Sequence, residues 1–291
     1  MNISPNTKPA VKHSSRTWKW AAVAGIWLAL FGVLYWYMPI ANLPIPNADY
    51  WNDKATDIIT LVASLAAATL GTRLMRHYQP SEPPHRIWLT FALGWWAWFA
   101  GEVAGLAYDY YYWFTEFPEF TVMDAFWLLG YFFFGLSLSY QFRLIYRSKS
   151  GRKTVLYISF IALVLLSTLG LTDWALAVGL GDGASWGGVF VGMLYPVLDV
   201  FEGAAALWLF FLFGRGYLGR PWWGLILFAF ADSVSTFFWI GGYNWISDPA
   251  YYQLDWVSNV IYVGGYLITA LAFLAAHEHM ERGVISTAST N

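Results

Sequence analysis

The sequence predicts an all-α membrane protein of eight transmembrane helices, ordered as two parallel four-helix repeats in a 1+3+1+3 pattern. Three observations lead there. The 291 residues are 58% apolar and only 12% charged, about half the charge of a soluble domain, and that charge lies between long apolar runs. The Lys and Arg residues alternate with those runs. Two segments, DAFWLLGY (124–131) and NVIYVGGY (259–266), each open on a polar residue and close on Gly-Tyr.

A span needs about 20 apolar residues. Residues 1–17 form a polar, basic tail. The run over 18–38 is too long for a signal-peptide core and ends without a small-residue cleavage site, so it reads as a retained first span. PIPNADYWND separates it from the second span, 54–76. The third and fourth, 87–112 and 122–142, follow the breakers QPSEPPHR and TEFPEF. The basic loop 147–153, RSKSGRK, divides the first repeat (18–146) from the second (154–278). Spans five to eight fall at 154–172, 187–213, 221–244 and 254–276, parted by GDGASWGG, GRGYLGRP and ISDPAYY, before a tail at 279–291.

All of the 16 Lys and Arg residues except Lys54 fall on one side of this layout. The positive-inside rule then predicts an inner-membrane protein with both termini cytoplasmic. The repeat extends to the acids. Asp57 lies 16 residues before Arg73 and Asp199 lies 16 before Arg215; Glu102 lies 16 after Arg86 and Asp232 12 after Arg220, a difference of one helical turn. An even number of spans per unit makes the repeats parallel.

The segment GWWAWFAGEVAGLAYDYYYWF (94–114) holds ten aromatic residues around one carboxylate, Glu102. At 1.5 Å per residue, Asp57, Glu102 and Asp199 come ~24 Å above their cytoplasmic anchors, Glu202 ~20 Å, Asp232 ~18 Å, and Asp124 and Asn259 ~27 Å. All fall in the outer half of a core ~30 Å thick. Charged groups there turn inward and find partners, yet the spans offer these acids no base beyond Lys54 near Asp57. Three outcomes stay open: neutral acids, coupled pairs sharing protons, or acids holding a cation or an amine. Pro196 would free a backbone carbonyl beside Asp199 and Glu202. Against a site stands simple helix-to-helix hydrogen bonding, and Asp57, Asp124 and Asp255 can each cap a helix. Trp95, Trp98, Tyr131, Tyr195 and Tyr266 are candidate cavity-lining aromatics, suited to cation–π contact; packing against lipid or a neighbouring helix is the competing account.

Several classes are excluded. Without Cys there is no disulfide or thiolate site. No phosphate loop, dinucleotide fingerprint or HExxH occurs, and no His lies within an expected span, against bis-His haem or His-ligated zinc. No Lys lies deep in the last two spans to form a retinal Schiff base, and no nucleophilic triad is visible. No cofactor or metal is therefore predicted, an enzyme is the least favoured reading, and a net charge of −2 gives no footprint for nucleic acid.

PEFTVMDAFWLLGYFFFGLSL (118–138), LYPVLDVFEGAAALWLFF (194–211) and AGEVAGLAYDYYY (100–112) together resemble the multi-pass sensor regions that precede bacterial diguanylate cyclases. The resemblance covers spans three to eight and marks Gly101, Glu102, Asp124, Tyr131, Tyr195, Pro196 and Asp199. It implies a sensor or receptor-like module. The 12 residues after His279 are too few for an output domain, so output is expected through a separate signalling protein on the cytoplasmic side, with the lipid bilayer as the other partner. The expected ligand is small and cationic or apolar, bound near Glu102, Asp199 and Asp232. The alternative is a proton- or cation-coupled transporter using the same acids.

Overall fold

Where side chains are mostly apolar, the backbone must satisfy its own donors and acceptors, and helices do this within one segment. The computed structural model describes residues 15–37, 48–112, 121–146, 186–213, 220–239 and 248–288. They form α1 (Ser15–Tyr37), α2 (Ala48–Met75), α3 (Pro83–Tyr112), α4 (Val122–Tyr146), α5 (Trp186–Phe213), α6 (Pro221–Trp239) and α7 (Asp248–Ala288), with no strand among the described residues. Pro83 and Pro221 open their helices, where a missing N–H and a preset φ cost nothing. The expected fifth span, 154–172, and the basic loop 147–153 lie outside the described residues.

Among the described residues, five segments are long and apolar enough to cross a membrane: Thr17–Trp36, Asp53–Met75, Val122–Ile145, Met193–Leu212 and Tyr252–Glu281. α3 and α6 coincide with the expected third and seventh spans without joining those five. Glu102 and Asp109 lower the hydropathy of α3, and Asp232 lowers that of α6. One boundary differs from expectation. The last span was expected to end near residue 276, but α7 continues to Ala288, and His277 and Glu278 are buried. The reason is tertiary: His277 Nδ1 meets His77 Nε2 of the loop after α2, and Glu278 Oε2 accepts from Thr17 Oγ1 of α1 at 2.7 Å.

Neighbouring helices pack in the order α2, α3, α4, α5, α6, α7 and back to α2, closing a six-helix ring with α1 outside against α2 and α7. The α4–α5 seam is the thinnest. The ring is filled with aromatic side chains. Phe91 lies 4.8 Å from Trp222, 5.5 Å from Phe134 and 5.6 Å from Phe273 between ring centroids; Trp95 lies 4.9 Å from Phe134 and 5.6 Å from Phe228. Edge-on pairs of this kind add ~0.5–1.5 kcal/mol each to plain burial. Small residues let the helices close on the rings. Trp98 of α3 lies over Gly130 of α4, and Trp127 of α4 lies over Gly101 of α3. Gly224 of α6 meets Gly265 of α7, where a Cβ would stand 2.7 Å from the Gly265 carbonyl oxygen.

Candidate functional site

Three of the expected acids meet in the ring, and tyrosines join them. The Tyr131 hydroxyl of α4 bonds Asp199 Oδ1 of α5 and donates to Asp232 Oδ2 of α6 at 2.7 Å. Ser233 adds a weaker bond to Asp199 Oδ2 at 3.2 Å. On the facing side, Glu102 Oε1 of α3 accepts from two α7 hydroxyls, Tyr262 at 2.5 Å and Tyr266 at 2.8 Å. None of these donors is a Lys or Arg. Each acid is therefore solvated by neutral hydroxyls, which fill lone pairs without cancelling charge.

A cavity of ≈ 180 Å³ lies beside this network, lined by Trp98, Trp127, Ala231, Asp232, Ser235, Ser258, Asn259 and Tyr262. Tyr131 uses Oδ2 of Asp232; no donor among the described residues reaches Oδ1. The Ser258 hydroxyl donates to the Ala231 carbonyl at 2.8 Å, and Asn259 Nδ2 donates to Asp255 and to Tyr35 of α1. The cavity residues thus offer one unused carboxyl oxygen and aromatic faces, together with the indole N–H groups of Trp98 and Trp127, which have no partner among the described residues.

The remaining expected residues lie around this centre. Asp124 accepts from the Thr121 backbone N–H at 2.7 Å and its hydroxyl at 2.9 Å, which is half of a capping box. It also takes the Tyr195 hydroxyl at 2.8 Å, so it caps α4 and ties it to α5. Glu202 is 1% exposed, and neither of its oxygens has a hydrogen-bond partner among the described residues. Trp95 is packed in the aromatic core and does not line the cavity. Trp98 does line it, and Tyr131, Tyr195 and Tyr266 act through their hydroxyls.

Asp57 belongs to a different group, at the far end of α2 from Arg73. Asp53, Asp57 and Asp109 offer oxygens within 4.8 Å of one another, close enough for a metal ion. The Lys54 ammonium is among them, paired with Asp109, 3.2 Å from Asp53 and 4.0 Å from Asp57. That ammonium is the cation the three acids require, so the group reads as an ion-pair latch between α2 and α3.

Two aromatic residues of the cavity escaped the sequence reading, Trp127 and Tyr262. Helical spacing could have found both. Trp127 is three after Asp124 and four before Tyr131; Tyr262 is three after Asn259 and four before Tyr266, and such neighbours share a face.

Fold and site together define an all-α, multi-pass membrane protein whose helical ring encloses a cluster of carboxyl groups joined by tyrosines. No protein-family model, curated protein or solved structure matches the chain.

Proposed function

We propose that the protein is an inner-membrane sensor or receptor-like module that binds a small organic cation in the cavity beside Asp232. The observation that carries this reading is Asp232, which has one oxygen unused among the described residues and lines a ≈ 180 Å³ space with Trp98, Trp127 and Tyr262. Carboxylate plus aromatic faces is the chemistry that holds ammonium groups. The volume matches about six waters at ~30 Å³ each, so the ligand is of the size of a short alkylamine. The resemblance to sensor regions of diguanylate cyclases agrees with a binding module whose helix shifts are read by a cytoplasmic partner.

The proposal includes eight spans and two parallel repeats, with both termini cytoplasmic. Crossed contacts support the repeat. Aligning Asp124 with Asn259 pairs Tyr131 with Tyr266, and the acid spacing pairs Glu102 with Asp232. The bond Tyr131 to Asp232 then has Tyr266 to Glu102 as its mate. By the same offsets, Gly130 under Trp98 matches Gly265 against Phe228, and Gly94 at Phe134 matches Gly224 at Thr269. Trp98 and Phe228, mates themselves, meet with centroids 4.3 Å apart.

A proton- or cation-coupled transporter is the second reading, and it too rests on a specific observation. One phenol carries one hydrogen, yet Tyr131 makes contacts with two carboxyls. Both become hydrogen bonds when Asp199 and Asp232 share a proton, and Glu202 lies one turn from Asp199 with no partner among the described residues.

Two measurements decide between them. Calorimetric titration of the purified chain with ammonium, methylammonium and tetramethylammonium should give saturable binding that Asp232→Asn removes; equal binding by the variant sinks the receptor reading. Uptake by proteoliposomes under a pH gradient, abolished by Glu102→Gln or Asp232→Asn, would replace it with the transporter.

A further inference from the structure

A second space lies outside the ring, where α1 stands off from α2 and α7. α1 is pinned at both ends of it. Thr17 bonds Glu278. Farther along, the Trp27 indole donates to the Ile59 carbonyl at 3.1 Å, Trp256 donates to the Gly32 carbonyl at 2.7 Å, and Tyr35 donates to Asp255 at 2.8 Å. Between the pins is a groove of ≈ 350 Å³, walled by apolar side chains of all three helices and by a single charged residue, Arg73. Its rims are exposed, Trp20 and Val23 at 50% and Val62 at 43%.

We infer that the groove holds one acyl chain of an anionic glycerophospholipid, with the lipid phosphate on Arg73. Length and lining both suit a hydrocarbon chain. From Val62 to Arg73 is eleven residues of α2, or ~16 Å of helix. Over that length the wall is apolar, and the small side chains of Ala24, Ala63, Ala66 and Ala270 open the channel between the helices.

Charge selects the headgroup. Arg73 is exposed, forms no ion pair among the described residues, and ends the apolar groove on the Arg-rich side of the protein. A guanidinium there matches a phosphate in fork geometry. Residues 1–14 of the chain itself are poor occupants, since they carry Lys8, Lys12 and His13 and would meet Arg73 with like charge. Apolar contact alone gives a lipid tail no preference for protein over bilayer. Shape and the phosphate contact must supply it.

The test is native mass spectrometry of the full chain in detergent, titrated with phosphatidylglycerol or with phosphatidylcholine of the same chains. The expected result is one retained phosphatidylglycerol per chain, bound more tightly than phosphatidylcholine. Arg73→Ala should weaken it about fivefold, the effect of ~1 kcal/mol for one Arg at an anionic surface. Arg73→Lys should hold most of the affinity, Ala24→Phe and Ala66→Phe should each displace the chain, and Arg76→Ala should change nothing. Equal retention of the two lipids, undiminished binding in both Phe variants, or an equal loss in Arg76→Ala would overturn the site. Competition by inorganic phosphate at the lipid's own concentration would assign the affinity to Arg73 without the groove, and would overturn it equally.

Discussion

Tyr131→Phe should destabilise the protein far more than Tyr266→Phe, although both remove one buried hydroxyl from mated positions. Tyr131 is the only donor to Asp232 among the described residues, and leaves Asp199 with Ser233 alone at 3.2 Å. A buried acceptor stripped of its donor costs ~1–3 kcal/mol. With Asp232 left bare and Asp199 weakened, Tyr131→Phe should cost about 3 kcal/mol. Tyr266→Phe leaves Glu102 Oε1 bonded to Tyr262 at 2.5 Å, and so loses one ordinary hydrogen bond, ~0.5–1.5 kcal/mol. The removed atom is the same and the phenyl ring stays, so packing cancels between the variants. The assay is reversible unfolding in mixed micelles, followed by far-UV circular dichroism against denaturing detergent. A gap of about 2 kcal/mol is expected, by the difference of those two figures. Equal losses, or the larger loss in Tyr266→Phe, would refute the claim that Tyr131 alone holds the Asp199–Asp232 pair.

The same unfolding assay checks the helix contacts. Gly224→Ala sets a Cβ 2.7 Å from a backbone carbonyl that cannot move aside and should cost ~1–3 kcal/mol, whereas Gly135→Ala, with nothing within 4 Å, should gain up to ~1 kcal/mol. Lys54→Ala leaves three carboxylates facing one another and should cost about 2 kcal/mol, less than a fully buried pair because the acids are partly exposed. Millimolar Ca²⁺ should restore that variant's midpoint while leaving wild type unmoved. Tyr35→Phe removes two polar ties of α1 to α7 and should speed amide hydrogen exchange in α1 while sparing the ring.

The helices were legible because apolar runs and prolines report on the backbone directly. α3 begins at the Pro83 that the breaker QPSEPPHR contains, and α6 at Pro221. The convergence of Glu102, Asp199 and Asp232 was legible in depth, since rise per residue places them at similar heights. Their partners were not. Which tyrosine meets which acid depends on each helix's rotation about its axis, and helices apolar all round give no face to read. The tyrosines were hidden for a second reason: in a chain with 19 Tyr and 19 Trp, any one of them reads as an interfacial anchor. The helical continuation through His277 was illegible because HEHMERG (277–283) is polar, and its first residues are buried by tertiary contacts that include His77 and Thr17.

The two acidic groups differ in the kind of donor they recruit, and that difference bears on function. At the end of α2 away from Arg73, Lys54 supplies a full positive charge to Asp53, Asp57 and Asp109. One ammonium stands among three carboxyl groups there, and it fills the space between them from within the protein. In the ring, Glu102, Asp199 and Asp232 are bonded by Tyr131, Tyr262, Tyr266 and Ser233. Hydroxyls orient carboxyl groups without supplying a counter-charge, so the charge of any ionised member of the group is not cancelled from within. A low-dielectric surround strengthens the field of such a charge, and a cavity bordered by Asp232 and aromatic faces gives it an outlet. Had the ring acids served only to lock helices together, a Lys or Arg would have done so more firmly, as Lys54 does. Their solvation by hydroxyls, with no Lys or Arg among the described residues bonded to them, is the feature on which the proposed cation site rests.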